Sequence, residues 1–191
     1  MEFIALEQYV IIKYMNEELF DIYDEQNKPL GMTKSRSIVH KDGSWHRVVH
    51  IYVINDQGQY LVHLRSPYKD LHPNCWDARL GGHVVAGMDY DQTAIEELKQ
   101  EIGITVSLNN LISSKIHKSD NGTNREHSKI YFYKYNGELT DLQFNDNEVV
   151  EVKWMSPDDI IKSIEQNPQI WTTTIKGFRG INLIQDSLWN R

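Results

Sequence analysis

Gly81-Gly82-His83-Val84-Val85-Ala86-Gly87, followed after Met88 by the segment that ends Glu96-Glu97-Leu98-Lys99-Gln100-Glu101-Ile102-Gly103-Ile104, is the stretch on which the reading of this chain turns. Ala94, Ile95, Leu98 and Ile102 recur at helical spacing, which predicts a helix over Asp91 to Ile102. Gly103 is placed to stop it, and Asp89 with Gln92 three residues on has the form of a capping box. Glu97 and Glu101 stand at i and i+4, so they project from one side of that helix and flank its apolar stripe. Two like charges at this spacing cost an isolated helix roughly 0.2–0.5 kcal/mol, and a Mg²⁺ or Mn²⁺ ion between them would turn repulsion into coordination. A solvated acidic face is the competing reading. The glycines ahead of the helix let the backbone come close to a phosphate or a metal-bound oxygen.

Working outward, Val48 to Ile54 is β-branched and aromatic, Asn55-Asp56-Gln57-Gly58 supplies turn residues, and Gln59 to Arg65 alternates again, which predicts a β-hairpin. Ser66 to Trp76 reads as a loop, Leu80 to Val85 as a short extended piece, and Ile130 to Tyr135 and Val149 to Met155 as strands. Ser156-Pro157-Asp158-Asp159 opens a further helix through Ile160 to Glu165. Trp171 to Arg191 carries Ile181, Leu183, Ile184, Leu188 and Trp189, and could cap the core as a helix or form a homodimer contact. Residues 1–15 read as an N-terminal extension without the basic start and cleavage site of a secretory signal, and 16–191 as a single domain.

The 191 residues carry 20 Lys and Arg against 27 Asp and Glu, a net charge of −7. Such a surface repels polyanions, so a nucleic acid polymer is not an expected partner, whereas a small phosphorylated ligand bound through a divalent metal suits an acidic pocket. No apolar run approaches the roughly 18–20 residues that span a bilayer, so no membrane association is expected. The single cysteine, Cys75, cannot form an internal disulfide, which fits a cytoplasmic location.

Taken with its spacing, the central stretch resembles the signature of the Nudix family: a glycine, five residues, a glutamate, seven residues, then Arg-Glu-apolar-any-Glu-Glu-any-Gly-apolar. Gly82, Glu97, Leu98, Glu101, Gly103 and Ile104 match it; Met88, Glu96 and Gln100 stand where it has a glutamate, the arginine and the first of the paired glutamates. The resemblance covers about Leu19 to Glu165. Phe20 to Asp24, Pro29-Leu30-Gly31, Arg36, His40, Trp45-His46-Arg47, Arg65-Ser66, Trp76-Asp77 and Asn124-Arg125-Glu126 look like the branch related to isopentenyl diphosphate isomerase. It implies an α/β fold, an α/β/α sandwich around a mixed β-sheet, with the signature forming a loop-helix-loop.

The resemblance further implies a metal-dependent hydrolase acting on a diphosphate linked to another moiety, such as a nucleoside diphosphate derivative. Glu97 and Glu101 would hold Mg²⁺ or Mn²⁺, with Gln100 offering only a neutral carbonyl oxygen. Gly81 and Gly82 would cradle the diphosphate, Arg65 and Arg47 would receive phosphate oxygens with Lys69 behind them, and Glu126 or Glu148 would supply a further carboxylate or base. Asp89 and Asp91 lie near Met88 and are candidates to replace its missing charge. His40, His46 and His83 stand near the places of the isomerase's metal-binding histidines, while His50 and His63 read as strand surface residues. Gly81 occupies the place of the isomerase's cysteine, which argues against isomerisation. Met88, Glu96 and Gln100 favour a competing reading, a ligand-binding or regulatory module that keeps the pocket.

Overall fold

The structure is a computed structural model that describes residues 17–69, 71–144 and 149–189. The expected N-terminal extension and Glu148 lie outside the described residues. Along the chain run β1 (Leu19–Tyr23), β2 (Pro29–Ser35), α1 (Arg36–Asp42), β3 (His46–Ile54), β4 (Tyr60–Arg65), β5 (Trp76–Asp77) and α2 (Tyr90–Ile102). They are followed by β6 (Leu111–Asn121), β7 (Asn124–Lys134), β8 (Val149–Met155), α3 (Pro157–Gln166) and α4 (Ile175–Trp189).

β1 and β2 form a small antiparallel ribbon, and the main sheet has the order β5-β4-β3-β7-β6 with β8 also paired to β4. The predicted hairpin is only partly formed. Asn55 closes the turn, its side-chain oxygen accepting from the backbone N–H of Gln57 at 3.1 Å and of Gln59 at 2.9 Å. Beyond Ile54↔Tyr60, however, the two strands part. β3 lies parallel to β7 from His46↔Glu126 to Ile54↔Lys134, and β4 runs against β8 from Tyr60↔Met155 to Arg65↔Val149. The reason is burial: β3 is covered on both faces, so strands with apolar faces far along the chain compete successfully for its edges. The β6 strand, LISSKIHKSDN, is an exposed edge strand whose backbone ladder to β7, not its weak alternation, defines it.

Alternation along β3 splits the core in two. Val49, Ile51 and Val53 face α2, where Tyr90, Ala94, Leu98 and Ile102 form the buried i, i+4 stripe. Tyr52 and Ile54, with Ile130 and Phe132 of β7, face Ile160 and Ile164 of α3 and Phe178 of α4. The C-terminal segment is thus a helix that caps the core through Phe178, Ile181, Ile184, Leu188 and Trp189, while Leu183 faces solvent. This is the expected α/β/α layering around a mixed sheet. Burial of a leucine such as Leu98, fully inaccessible here, stabilises by roughly 1.5–3 kcal/mol. No helix among the described residues is long and apolar enough to cross a membrane.

Candidate active site

The glycine loop is sewn to the middle of β3: the Val49 N–H donates to the Gly82 carbonyl at 2.9 Å, and Ile51 and Leu80 exchange backbone hydrogen bonds at 2.8 and 2.9 Å. Gly81 adopts φ +122°, and a β-carbon there would lie 2.3 Å from the Val49 carbonyl oxygen, so backbone and sterics together demand glycine. At Gly82 a β-carbon would meet Glu97 Oε1 at 2.3 Å. The second glycine therefore gives the Glu97 carboxylate its place against the loop. The Gly81 N–H lies 3.4 Å from both Glu101 carboxylate oxygens.

Those two carboxylates arrive there because α2 begins and ends where it does. Asp89 caps it, accepting from the Gln92 N–H at 2.8 Å while the Gln92 side chain accepts from the Asp89 N–H at 3.1 Å, and Gly103 ends it in the left-handed conformation. With Leu98 and Ile102 buried, Glu97 and Glu101 are carried to the half-buried border that meets the loop. Glu96 and Gln100 are exposed on the same helix.

The side chains near the missing first glutamate are otherwise engaged. Met88 packs against the core beneath α2. Asp89 is the cap. Asp91 accepts from Lys129 Nζ at 2.6 Å and from the Tyr131 hydroxyl. Although burial opposes its charge, those bonds hold the Asp91 carboxyl below its ordinary value. The sequence-based expectation that Asp89 and Asp91 replace the lost charge is thereby corrected, since helix geometry turns both toward structural partners.

Three histidines gather at the end of the loop. His40 from α1, His46 from β3 and His83 place one ring nitrogen each within 4.8 Å of one another, the one such group of three among the described residues. His46 is fully buried; its Nδ1–H donates to the Ser44 carbonyl at 3.0 Å, which leaves Nε2 bare, buried and without a hydrogen-bond partner. An unsatisfied buried acceptor costs about 1–3 kcal/mol. His40 and His83 face each other with Nε2 atoms 3.2 Å apart. Phe20 stacks on His83 at 4.7 Å and on His46 at 5.7 Å, fixing their ring planes. Burial, then Arg36 and the neighbouring histidines, pushes His83 down to about 2, and burial followed by His46 and Arg36 lowers His40. Both are thus neutral, the form that donates to a divalent transition metal. Glu126 lies opposite His46 in the β3–β7 register and accepts from Asn124 Nδ2 at 2.8 Å.

Cationic residues divide between two places. Arg65 and Lys69 line a cleft with Gly81 and Glu101, and Arg65 also donates to the carbonyls of Leu71 at 2.9 Å and His72 at 3.3 Å. Arg47 is not among the lining residues of that cleft: its guanidinium sits 3.8 Å over Tyr23 and 4.9 Å from the Tyr90 ring and bonds Asn27 Oδ1 at 2.8 Å. Arg79 was missed by sequence reasoning because it sits in a stretch with no motif; it lines the same cleft. His63 is not a surface residue, and His50 is half-buried. His63 is 5% exposed, and burial, partly offset by Asp77, pushes it down to about 4; burial and Arg79 push His50 to about 3.

The site is a glycine loop set against a capped helix that carries two half-buried carboxylates, within an α/β fold. The model of the NUDIX domain matches residues 44–174, and the chain belongs to the Nudix family. A protein of Clostridium acetobutylicum described as an uncharacterized Nudix hydrolase is 32% identical over 158 residues, 79% of this chain and 76% of that one. A Nudix hydrolase of Deinococcus radiodurans is 26% identical over 154 residues, 78% and 85% of the two chains. A crystal structure from Deinococcus radiodurans superimposes with a TM-score of 0.63 at 24% identity over 78% of this chain and 90% of that one, a likeness of fold.

Proposed function

We propose that the protein is a divalent-metal-dependent hydrolase that cleaves a diphosphate linked to another moiety, with water attacking one phosphorus. The observation that carries this reading is one cleft in which Glu101, beside the Gly81 N–H, faces the cations Arg65, Lys69 and Arg79. Carboxylates suit a hard cation and guanidinium groups suit phosphate oxygens. Glu97 and Glu101 would hold Mg²⁺ or Mn²⁺, and His40, His46 and His83 form a second donor set, with the bare His46 Nε2 as its strongest mark. A bound ion supplies Lewis acidity and an acidified water. The chain's own residues do the rest: the glycine loop holds the carboxylates in place, the cations orient the phosphates, and Glu126 is a candidate to accept the water's proton. The likeness to the isomerase branch, carried by segments such as Phe20 to Asp24, Trp45-His46-Arg47, Trp76-Asp77 and Asn124-Arg125-Glu126, includes these histidines and Glu126.

A second reading, a ligand-binding module, is favoured by Met88 in the core and by the commitment of Asp89 and Asp91 to structure. Product release from nucleoside diphosphate derivatives and dinucleoside polyphosphates with Mg²⁺ or Mn²⁺ separates the two. Turnover by the wild type that is lost in Glu97→Gln and Glu101→Gln is expected. An inert wild type that gains activity in Gln100→Glu, alone or with Met88→Glu, would overturn the hydrolase reading in favour of the module.

A further inference from the structure

Alternation along β4 puts Leu61, His63 and Arg65 on the face that meets α2, and the register sets His63 directly across from Asp77 of β5 and Val152 of β8. The position of His63 is therefore fixed by the sheet. It is 5% exposed, and it lines the cleft of Arg65, Lys69, Gly81 and Glu101. Among the described residues its ring has no hydrogen-bond partner. A polar side chain buried this deeply ordinarily has one.

The charges around the ring are mixed. On the neighbouring strand stands Asp77, 4% exposed at its side chain, whose Oδ1 already accepts from the Arg79 N–H at 2.9 Å. Glu101 lines the cleft from α2, where the Gly81 N–H lies 3.4 Å from both its carboxylate oxygens. β8 contributes only Val149 and Val152 on this side. Facing these two carboxylates are three cations, Arg65, Lys69 and Arg79. Burial, opposed by Asp77 and reinforced by the three cations, pushes His63 down to about 4, so the ring is neutral near pH 7.

A phosphate group that enters among these cations reverses the sign of the field they set up at the ring. An opposite charge within about 4–6 Å moves a titration by about 1–3 pH units toward the charged form, which carries His63 from about 4 into the range of about 5–7. The protonated ring donates a charged N–H to a phosphate oxygen, a stronger contact than the neutral ring makes. Anion and proton then favour each other's binding, and the coupling is reciprocal.

Resting on the hydrolase reading above for what enters the cleft, we propose that His63 is a phosphate-binding residue that takes up a proton as the phosphate binds. The cleft thereby responds to pH through its ligand. Phosphate is held more tightly as pH falls, and the proton leaves when the phosphate does.

The test measures binding of inorganic pyrophosphate by the full chain in EDTA, for the wild type and His63→Gln, from about pH 5 to about pH 8. Titration of pyrophosphate itself is common to both proteins and cancels in the ratio of their affinities. The wild type is expected to bind about ten-fold more tightly than His63→Gln at about pH 5 and about equally at about pH 8, the change produced by a rise of about two pH units in the His63 titration. Calorimetry in buffers of different protonation enthalpy should show the wild type taking up more protons per site than the variant. A ratio constant with pH overturns the proposal, because a merely structural role would weaken binding at every pH alike. Absence of pyrophosphate binding by the metal-free protein overturns it too. Should His63→Gln fail to fold, ¹⁵N spectra of the wild type decide the matter: the His63 ring, assigned through its backbone, should gain a proton when pyrophosphate is added at about pH 5, and a ring that stays neutral overturns the proposal. None of these readouts needs turnover. Proton-coupled binding without product release would sink the hydrolase reading alone, and product release with a flat ratio would sink this proposal alone.

Discussion

Alanine at the two adjacent loop glycines is expected to separate fold from function. At Gly81 the β-carbon would stand 2.3 Å from the Val49 carbonyl oxygen and 3.0 Å from its carbon, both backbone atoms, on a residue at φ +122°. Strain of about 1–3 kcal/mol for the backbone and about 1–3 kcal/mol for overpacking combine to a loss of about 2–6 kcal/mol. For a domain of this size that lowers Tm by roughly 5–20 °C. At Gly82 the backbone is ordinary for any residue, and the atom met is Glu97 Oε1 at 2.3 Å, the far end of a flexible side chain. To restore ordinary contact at 3.4 Å the carboxylate retreats by about 1 Å (3.4 − 2.3). The fold survives, with Tm expected within about 2 °C of wild type, but a 1 Å misplacement of a functional group can cost about 10²-fold. The assay is thermal unfolding with and without Mn²⁺, since an ion that binds only the native state raises Tm. Gly82→Ala should keep the metal-free Tm and shift the Mn²⁺ response to higher concentration. Equal losses of metal-free Tm in the two variants, or a Mn²⁺ response in Gly82→Ala identical to wild type, would refute the assignment of Gly82 as the seat of Glu97.

Asp89→Ala should cost about 1 kcal/mol by removing the cap of α2, lowering Tm by roughly 2–4 °C, as read by calorimetry; Asp89→Asn should recover most of it. Acid should destabilise the protein through its buried histidines. His63, held mainly by burial at about 4 against an unperturbed 6.5, takes up protons more readily when unfolded. Its contribution is therefore complete above pH 6.5 and is lost as pH falls through 6.5 to 4, with a slope of up to about 1.4 kcal/mol per pH unit. Urea midpoints across that range should flatten in His63→Gln, and an unchanged slope would count against the assignment.

The loop-helix-loop was legible in the sequence because it is local. The stripe of Ala94, Leu98 and Ile102, the Asp89–Gln92 box and Gly103 each act within a few residues of themselves, and all three reappear in the structure with the expected geometry. That Glu97 and Glu101 share one side of the helix and flank its buried stripe follows from the spacing, since the buried side of a helix fixes the direction of its neighbours. Departures of Met88, Glu96 and Gln100 from the family signature were equally plain, because they concern residue identity.

What the tertiary structure decided lies between elements. The partner of β3 is β7 and not the adjacent β4, a choice made by burial on both faces of a central strand and by no turn signal. Arg47 and Arg65 look alike as cations at strand positions, yet alternation and packing set one against Tyr23 and Tyr90 and the other beside the Glu101 cleft. Arg79 carries no motif; only the convergence of the β5 turn and the glycine loop places it in the cleft with Arg65 and Glu101. His40, His46 and His83 are scattered over 44 residues of chain and become one cluster only when α1, β3 and the loop close on Phe20. Helical periodicity and capping are written in short-range sequence, whereas the company a charged side chain keeps is settled by long-range packing, and the chemistry of this site depends on both.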